Sequence, residues 1–210
     1  MDINLRLEEE KDHRIVEELT REAFWNVHVP GCDEHLLIHN LRKRKEFINE
    51  LDFVAVYNNT IAGNIKYVQT KITDGGGGEH RVLTFGPVSV LPEYQNKGIG
   101  SKLINHTIQL AKELHRAVLI YGDPEYYKRF GFRESIHYKI TNKDKKYPAA
   151  LLVLELYPGA LNGIEGIYDE GTLYDVDEEA LTIFDKGFAE KEQNVTKTQE
   201  RFLEMVHKFL

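Results

Sequence analysis

The chain has 210 residues, of which 41% are hydrophobic and 29% charged, and its formal net charge at pH 7 is −7. That length suits one α/β domain with an extension or two small domains, and the composition is that of a globular chain rather than a disordered one. The negative balance argues against a general affinity for nucleic acid, and no apolar run approaches the ~20 residues that span a bilayer.

The opening segment MDINLRLEEEKDHR is charged and holds no signal-peptide core. With the single cysteine, Cys32, it points to a cytoplasmic protein. Glu8 to Phe24 is predicted helical, since Ile15, Val16, Leu19 and Ala23 recur at helical spacing. Pro30-Gly31 breaks the chain, and Cys32 beside it reads as a small loop residue rather than a nucleophile. Asp33 is placed to cap a second helix carrying Leu36, Leu37 and Leu41. Residues 53–72 read as two strands around Asn58-Asn59, because asparagine tolerates the positive φ of a tight hairpin turn.

Asp74 and the run Gly75 to Gly78 form a flexible hairpin loop; no Gly-Lys-Ser/Thr follows, so Walker chemistry is not indicated. Arg81 to Leu91 is apolar almost throughout, as in a strand covered on both faces. Gly98 to Leu114 shows an apolar stripe of Ile99, Leu103, Ile104, Ile108, Ala111 and Leu114, and Ala117 to Tyr121 is another buried strand. Strand, helix and strand at this spacing make a βαβ unit with parallel strands and a right-handed crossover. A short helix is expected from Pro124 to Phe130, ended by Gly131, then strands over 132–140 and 149–156. Beyond Pro158-Gly159 the composition turns to Gly, Asp and Glu, and 194–210 reads as an amphipathic helix. The acidic run Asp175 to Glu179 is better explained by a helix starting at Asp175 or Asp177 than by a metal site.

The stretch GPVSVLPEYQNKGIGSKLI, residues 86–104, carries the chemistry. Glycine lacks the Cβ that would keep a phosphate from the backbone, and a helix start offers free N–H groups and a partial positive charge. Gln95 to Ser101 (with Asn96, Lys97, Gly98, Ile99 and Gly100) therefore suits a diphosphate. A dinucleotide fingerprint is not met, because Leu103 stands where the third glycine belongs. Pro87 inside a buried strand implies a bulge that bends the strand away from its parallel neighbour. The gap would expose main-chain groups of Val88, Ser89 and Val90, against which an extended, amide-bearing ligand could pair as a strand. A diphosphate joined to a chain with two amides is the shape of coenzyme A.

On these residues the segment resembles the GCN5-related N-acetyltransferases. Gln95, Gly98 and Gly100 match that family's Gln/Arg-x-x-Gly-x-Gly/Ala motif at a strand-to-helix junction. YGDPEYYKRFGF, 121–132, matches its Tyr-x-x-x-Gly-Phe element, and the likeness runs over roughly residues 5–156. The resemblance implies the acyl-CoA N-acyltransferase fold: an α/β (α+β) mixed sheet, its fourth and fifth strands parallel and splayed, with helices on both faces. It divides the chain into a transferase domain, 1–157, and a C-terminal extension, 158–210, packed on the core, its last helix covering sheet or making a homodimer contact. It implies acetyl-CoA as co-substrate, no metal, and a small-molecule or peptide amine as acceptor, without nucleic-acid or membrane partners. A non-catalytic acyl-CoA-sensing module is the alternative.

The resemblance also distributes roles. Val88, Ser89, Val90, Gln95 to Ser101 and Tyr127 would hold the coenzyme. The Val88 amide would meet the oxyanion, and Tyr127, with Tyr126 as rival, would protonate the leaving thiolate. Glu79 or His80 could feed a water chain to take the amine proton, unless water takes it alone. The pantetheine-contacting asparagine of many family members has no counterpart in Gly122-Asp123-Pro124-Glu125, where Asp123 reads as a helix cap. Trp25, His28, His35 and Tyr57 are candidate walls of the acceptor pocket.

Overall fold

The computed structural model describes residues 2–210. Its strands are β1 (Asn4–Leu7), β2 (Phe53–Tyr57), β3 (Thr60–Asp74), β4 (Glu79–Val90), β5 (Ala117–Tyr121), β6 (Arg133–Glu134), β7 (Ile140–Thr141), β8 (Leu151–Glu155) and β9 (Gly166–Asp169). Its helices are α1 (His13–Phe24), α2 (Glu34–Leu41), α3 (Ile99–Ala111), α4 (Pro124–Tyr127), α5 (Glu178–Asp185) and α6 (Lys197–Val206). All strands join one mixed sheet in the order β1-β2-β3-β4-β5-β8-β6. The long β3 carries β2 beside its first half and β9 beside residues 71–74, and β9 in turn pairs with β7.

The hairpin between β2 and β3 turns as expected: Asn58 and Asn59 have φ of 48° and 60°. At the β3–β4 loop, Asp74 Oδ1 accepts from the Gly76 and Gly78 amides at 2.9 and 2.8 Å, so a side chain organises the glycines.

α3 buries Ile99, Leu103, Ile104 and Ile108 on one sheet face, against Tyr67, Leu83 and Phe85. Each such side chain contributes roughly 1.5–3 kcal/mol when fully buried. α1 and α2 cover the other face through Val16, Leu19 and Ile38, against Val54 and Ile61. Beneath α1 and α2, Lys66 is fully buried and ion-paired with Glu8 and Asp52, while Arg42 Nη2 meets Glu8 at 2.7 Å. Burial, with the Glu8 charge alongside, pushes the Asp52 carboxyl up to about 7 against the pull of Lys66.

Several expectations need correction. The first helix begins later: a 3-10 turn over Glu10–Asp12, with a Glu9/Asp12 capping box, precedes α1, and Ile15 is 49% exposed. β1 was not anticipated. Asp33 precedes α2 without a capping hydrogen bond from its side chain. α3 stops at Ala111, leaving Leu114 68% exposed. The strand expected over 132–140 is split by a 3-10 turn, Ser135–Tyr138, whose end Lys139 sits at φ 52°. α6 is shorter than expected; Thr196 and Gln199 form the capping box that sets its start. The acidic run does begin a helix: Asp177 Oδ1 accepts from the Ala180 amide at 2.7 Å, and Glu178 and Glu179 occupy the first turn of α5.

The bulge implied by Pro87 is present. Ile65 opposes Val88 and Tyr67 opposes Phe85, so Gly86 and Pro87 together face Lys66. Beyond it the sheet forks: β4 and β5 pair in parallel at Leu83–Val118 alone.

Candidate active site

Two cavities of about 540 Å³ each meet at the fork and share Phe24, Val88 and Tyr127. The first runs from the fork to the start of α3. The Leu91 amide donates to the Ala62 carbonyl of β3 at 3.0 Å. Main-chain groups alternate sides along a strand, so Ser89 also faces β3, and Val88 and Val90 face the open fork. Gln95 closes this end by donating its Nε2 to the Val90 carbonyl at 3.1 Å.

Of the residues expected to hold the coenzyme, Val88, Val90, Gln95, Asn96, Gly98, Ile99, Gly100, Ser101 and Tyr127 line this cavity. Gly98 takes φ +84°, in the left-handed region, to swing the chain into α3. A Cβ on Gly100 would meet only cavity-lining atoms, with Tyr126 Oη at 3.5 Å and Val90 Cγ2 at 3.7 Å. Two residues depart from expectation. Ser89 is buried with its hydroxyl on Thr20 Oγ1 at 3.1 Å. Lys97 turns back, donating Nζ to the Glu93 carbonyl at 2.8 Å. Arg129, unremarked in the sequence, lines the cavity, with Nε on the Tyr126 carbonyl at 2.9 Å and its guanidinium 4.7 Å from the Tyr126 ring centre. The signal was there: it lies three residues past Tyr126, on the same side of a helical turn.

Tyr127 stands where the cavities join. Its ring packs on Phe85 and Phe132, with centroids 5.9 and 5.7 Å away, and a Cβ on Gly122 would overlap it. Burial, with smaller contributions from Tyr126 and Asp123, pushes its hydroxyl well above the usual phenol range, so it is protonated throughout the neutral region. Tyr126 touches the first cavity alone. Asp123 caps α4, accepting from the Glu125 amide at 2.9 Å, and meets Arg201 of α6 at 2.7 Å.

The second cavity lies under α6. His28, Glu34 and Leu37 line it from one side, Thr84 to Val88 form its floor, and Glu170, Tyr174, Phe202 and Met205 come from the C-terminal extension. Of the four candidate acceptor walls His28 alone is here, stacked on Phe202 with ring centroids 4.3 Å apart. Trp25 instead stacks on Arg21 and donates Nε1 to the Glu192 carbonyl at 2.9 Å. Tyr57 packs edge-on against Tyr94. His35 is fully buried, its Nδ1 3.6 Å from Cys32 Sγ and its Nε2 3.2 Å from Asp185 Oδ1. That trio has the order of a nucleophile relay, but burial pushes the Cys32 thiol up and the His35 imidazole down, leaving both neutral. It ties α5 to α2.

Glu79 and His80 lie at the other end of β4, in neither cavity, with His80 Nε2 on Asp74 Oδ2 at 2.8 Å. Nine residues of strand, on the order of 30 Å, separate Glu79 from Val88. A catalytic base at Glu79 or His80 is therefore ruled out by distance.

Residues 49–134 match the family model described as an acetyltransferase (GNAT) domain. The uncharacterized N-acetyltransferase YhbS of Escherichia coli K12 is 28% identical over 106 residues, 50% of this chain and 64% of that protein. The match thus spans somewhat less than two thirds of the relative. The crystal structure of E. coli YhbS in complex with CoA superposes with a TM-score of 0.73 at 23% identity, covering 83% of this chain and 92% of that one. A GNAT family acetyltransferase from Brucella melitensis, in complex with acetyl-CoA, gives 0.66 at 27% identity, covering 83% and 99%. No helix among the described residues is long and apolar enough to cross a membrane.

Proposed function

We propose that this chain, whose residues 49–134 match the GNAT acetyltransferase domain, moves an acetyl group from acetyl-CoA to a primary amine by direct attack in a ternary complex. The observation that carries the reading is the fork: β4 and β5 share one pairing, Leu83–Val118, and beyond it Val88 and Val90 face a glycine-bounded cavity, with the Val90 carbonyl accepting from Gln95. The Val88 and Val90 groups would pair with the amides of the pantetheine arm. The α3 amides around Gly98 to Ser101, with Arg129, would hold the diphosphate.

The thioester supplies the activation, so the chain's task is alignment, proton handling and charge stabilisation. The amine nitrogen, entering from the second cavity, bonds to the carbonyl carbon. The Val88 amide faces the oxygen as it gains charge. The carbon–sulfur bond then breaks, sulfur keeps the electron pair, and Tyr127 gives it a proton, being the hydroxyl common to both cavities. Water takes the proton that the amine loses. Residues 1–157 form the transferase unit in this reading, and 158–210 complete the acceptor side.

Calorimetry with acetyl-CoA, then thiol release with a panel of amines, tests the reading. Tyr127→Phe should leave acetyl-CoA binding within about twofold and slow turnover about a hundredfold. Equal turnover removes Tyr127 from the reaction. Binding of acetyl-CoA without transfer to any amine would instead favour a sensing module.

A further inference from the structure

The second cavity deepens that reading, on which this inference rests, because its chemistry selects an acceptor. Its volume, about 540 Å³, lies within the roughly 300–1,000 Å³ of small-molecule sites. Phe202 and Met205 of α6 roof it, held down by the His28–Phe202 stack and the Arg201–Asp123 ion pair. Tyr174 closes a further side, donating its hydroxyl to the Gly86 carbonyl at 3.4 Å. A roofed pocket favours a free small molecule over a lysine on a folded protein.

Its walls are aromatic and aliphatic, interrupted by three carboxylates, of which Asp123 is taken up by the Glu125 amide and Arg201. Glu34 is occupied: Oε1 meets His28 Nδ1 at 3.0 Å and Oε2 accepts from the Asp33 amide at 3.2 Å. Glu170 is half-buried and accepts only from the Tyr168 hydroxyl, at 3.3 Å, with no ion pair to it among the described residues. Burial, with the Asp175 and Asp169 charges alongside, pushes its carboxyl above the usual range, and the Tyr168 hydroxyl and the charge of Lys143, which forms no ion pair with it, offset this only in part. A carboxylate drawn out of water without a cation is costly, and a bound cation relieves that cost.

Glu170 stands away from the reaction. The Tyr168 hydroxyl that meets it also meets Thr84 Oγ1 at 2.5 Å, four positions before Val88 on β4. At ~3.3 Å per residue that is up to about 13 Å from the fork. Glu170 thus meets the cavity near Thr84, apart from the Val88–Tyr127 end, which leaves room for one nitrogen at each end. We propose that the acceptor is a small-molecule diamine: one amino group enters between Val88 and Tyr127, an apolar spacer lies under α6, and the second ammonium rests on Glu170. The first amine forms the amide as the carbon–sulfur bond breaks and the thiol leaves; the distal ammonium is unchanged.

The test compares α,ω-diamines of four to eight carbons with n-alkylamines of the same length, using the full chain and acetyl-CoA, by thiol release. Diamines should exceed their monoamine partners at least tenfold in kcat/KM, mostly through KM. Glu170→Gln should collapse that ratio toward one while the acetyl-CoA-induced rise in Tm persists. Equal kcat/KM for diamine and monoamine in the unaltered protein, or an unchanged ratio in Glu170→Gln, overturns the proposal. Acetyl-CoA binding without acetylation of any diamine also overturns it and leaves the coenzyme site standing. Loss of acetyl-CoA binding in the unaltered protein overturns both.

Discussion

Gly100→Ala separates folding from coenzyme binding. Gly100 is the second residue of α3, where alanine is favoured over glycine by up to about 1 kcal/mol. Its added Cβ would find Tyr126 Oη at 3.5 Å, Val90 Cγ2 at 3.7 Å and Val88 Cγ1 at 4.0 Å, all ordinary contacts. The ligand-free variant should therefore melt up to about 2–4 °C higher for a chain of this length. All three neighbours line the first cavity, however, so the methyl group occupies the approach to the backbone that the proposed diphosphate would take. Losing one charge-assisted hydrogen bond there is worth roughly 1.5–3 kcal/mol, or about 10–100-fold in affinity. The assay is thermal unfolding with acetyl-CoA at a hundred times its Kd for the unaltered protein. The ligand then contributes ~2.7 kcal/mol, a rise of about 5–11 °C. A hundredfold weaker site would retain about 0.4 kcal/mol of that, a rise of about 1 °C. Gly98→Ala is the control: its Cβ meets nothing within 4 Å but must adopt φ +84°, so it should lower the ligand-free Tm. If Gly100→Ala keeps the full acetyl-CoA shift, the close approach of a diphosphate to this backbone is refuted.

Asp52→Asn should alter how stability depends on pH. The Asp52 carboxyl is pushed up to about 7 in the fold, above the ~3.9 of an unfolded chain. The unfolded state therefore ionises first as pH rises, and the folded protein loses stability across that interval. Asparagine lacks this loss, so the variant should match the parent near pH 4 and exceed it at pH 8 in urea unfolding; an advantage that shrinks with rising pH contradicts the assignment. Cys32, a buried neutral thiol, should resist iodoacetamide at pH 8 in the native protein and react promptly in denaturant. Rapid native labelling would show that α5 opens from α2.

The cavity between the fork and the start of α3, the proposed coenzyme side, was legible in the chain because its determinants are local. Pro87 signals a bulge through its missing amide, and Gly98 and Gly100 signal close backbone approach at the helix that follows at once. These residues lie within one strand-turn-helix, so their order fixes their geometry. Ser89 and Lys97 lie off the cavity for a related reason: a motif names neighbouring positions, but strand alternation sends Ser89 to β3 and a turn sends Lys97 back to Glu93.

The acceptor side could not be read in this way. His28, Val88, Tyr127, Glu170 and Phe202 come together from five separate segments. Histidines and glutamates are common on surfaces, and nothing local distinguishes Glu170 from Glu165 or His28 from His35. The sequence by itself determined the forked strand pair and the glycine-bounded helix start, since covalent neighbours and backbone sterics set both. Only the tertiary structure decided which carboxylate lacks a cation and which helix roofs the pocket, because burial and charge pairing depend on distances between segments far apart along the chain.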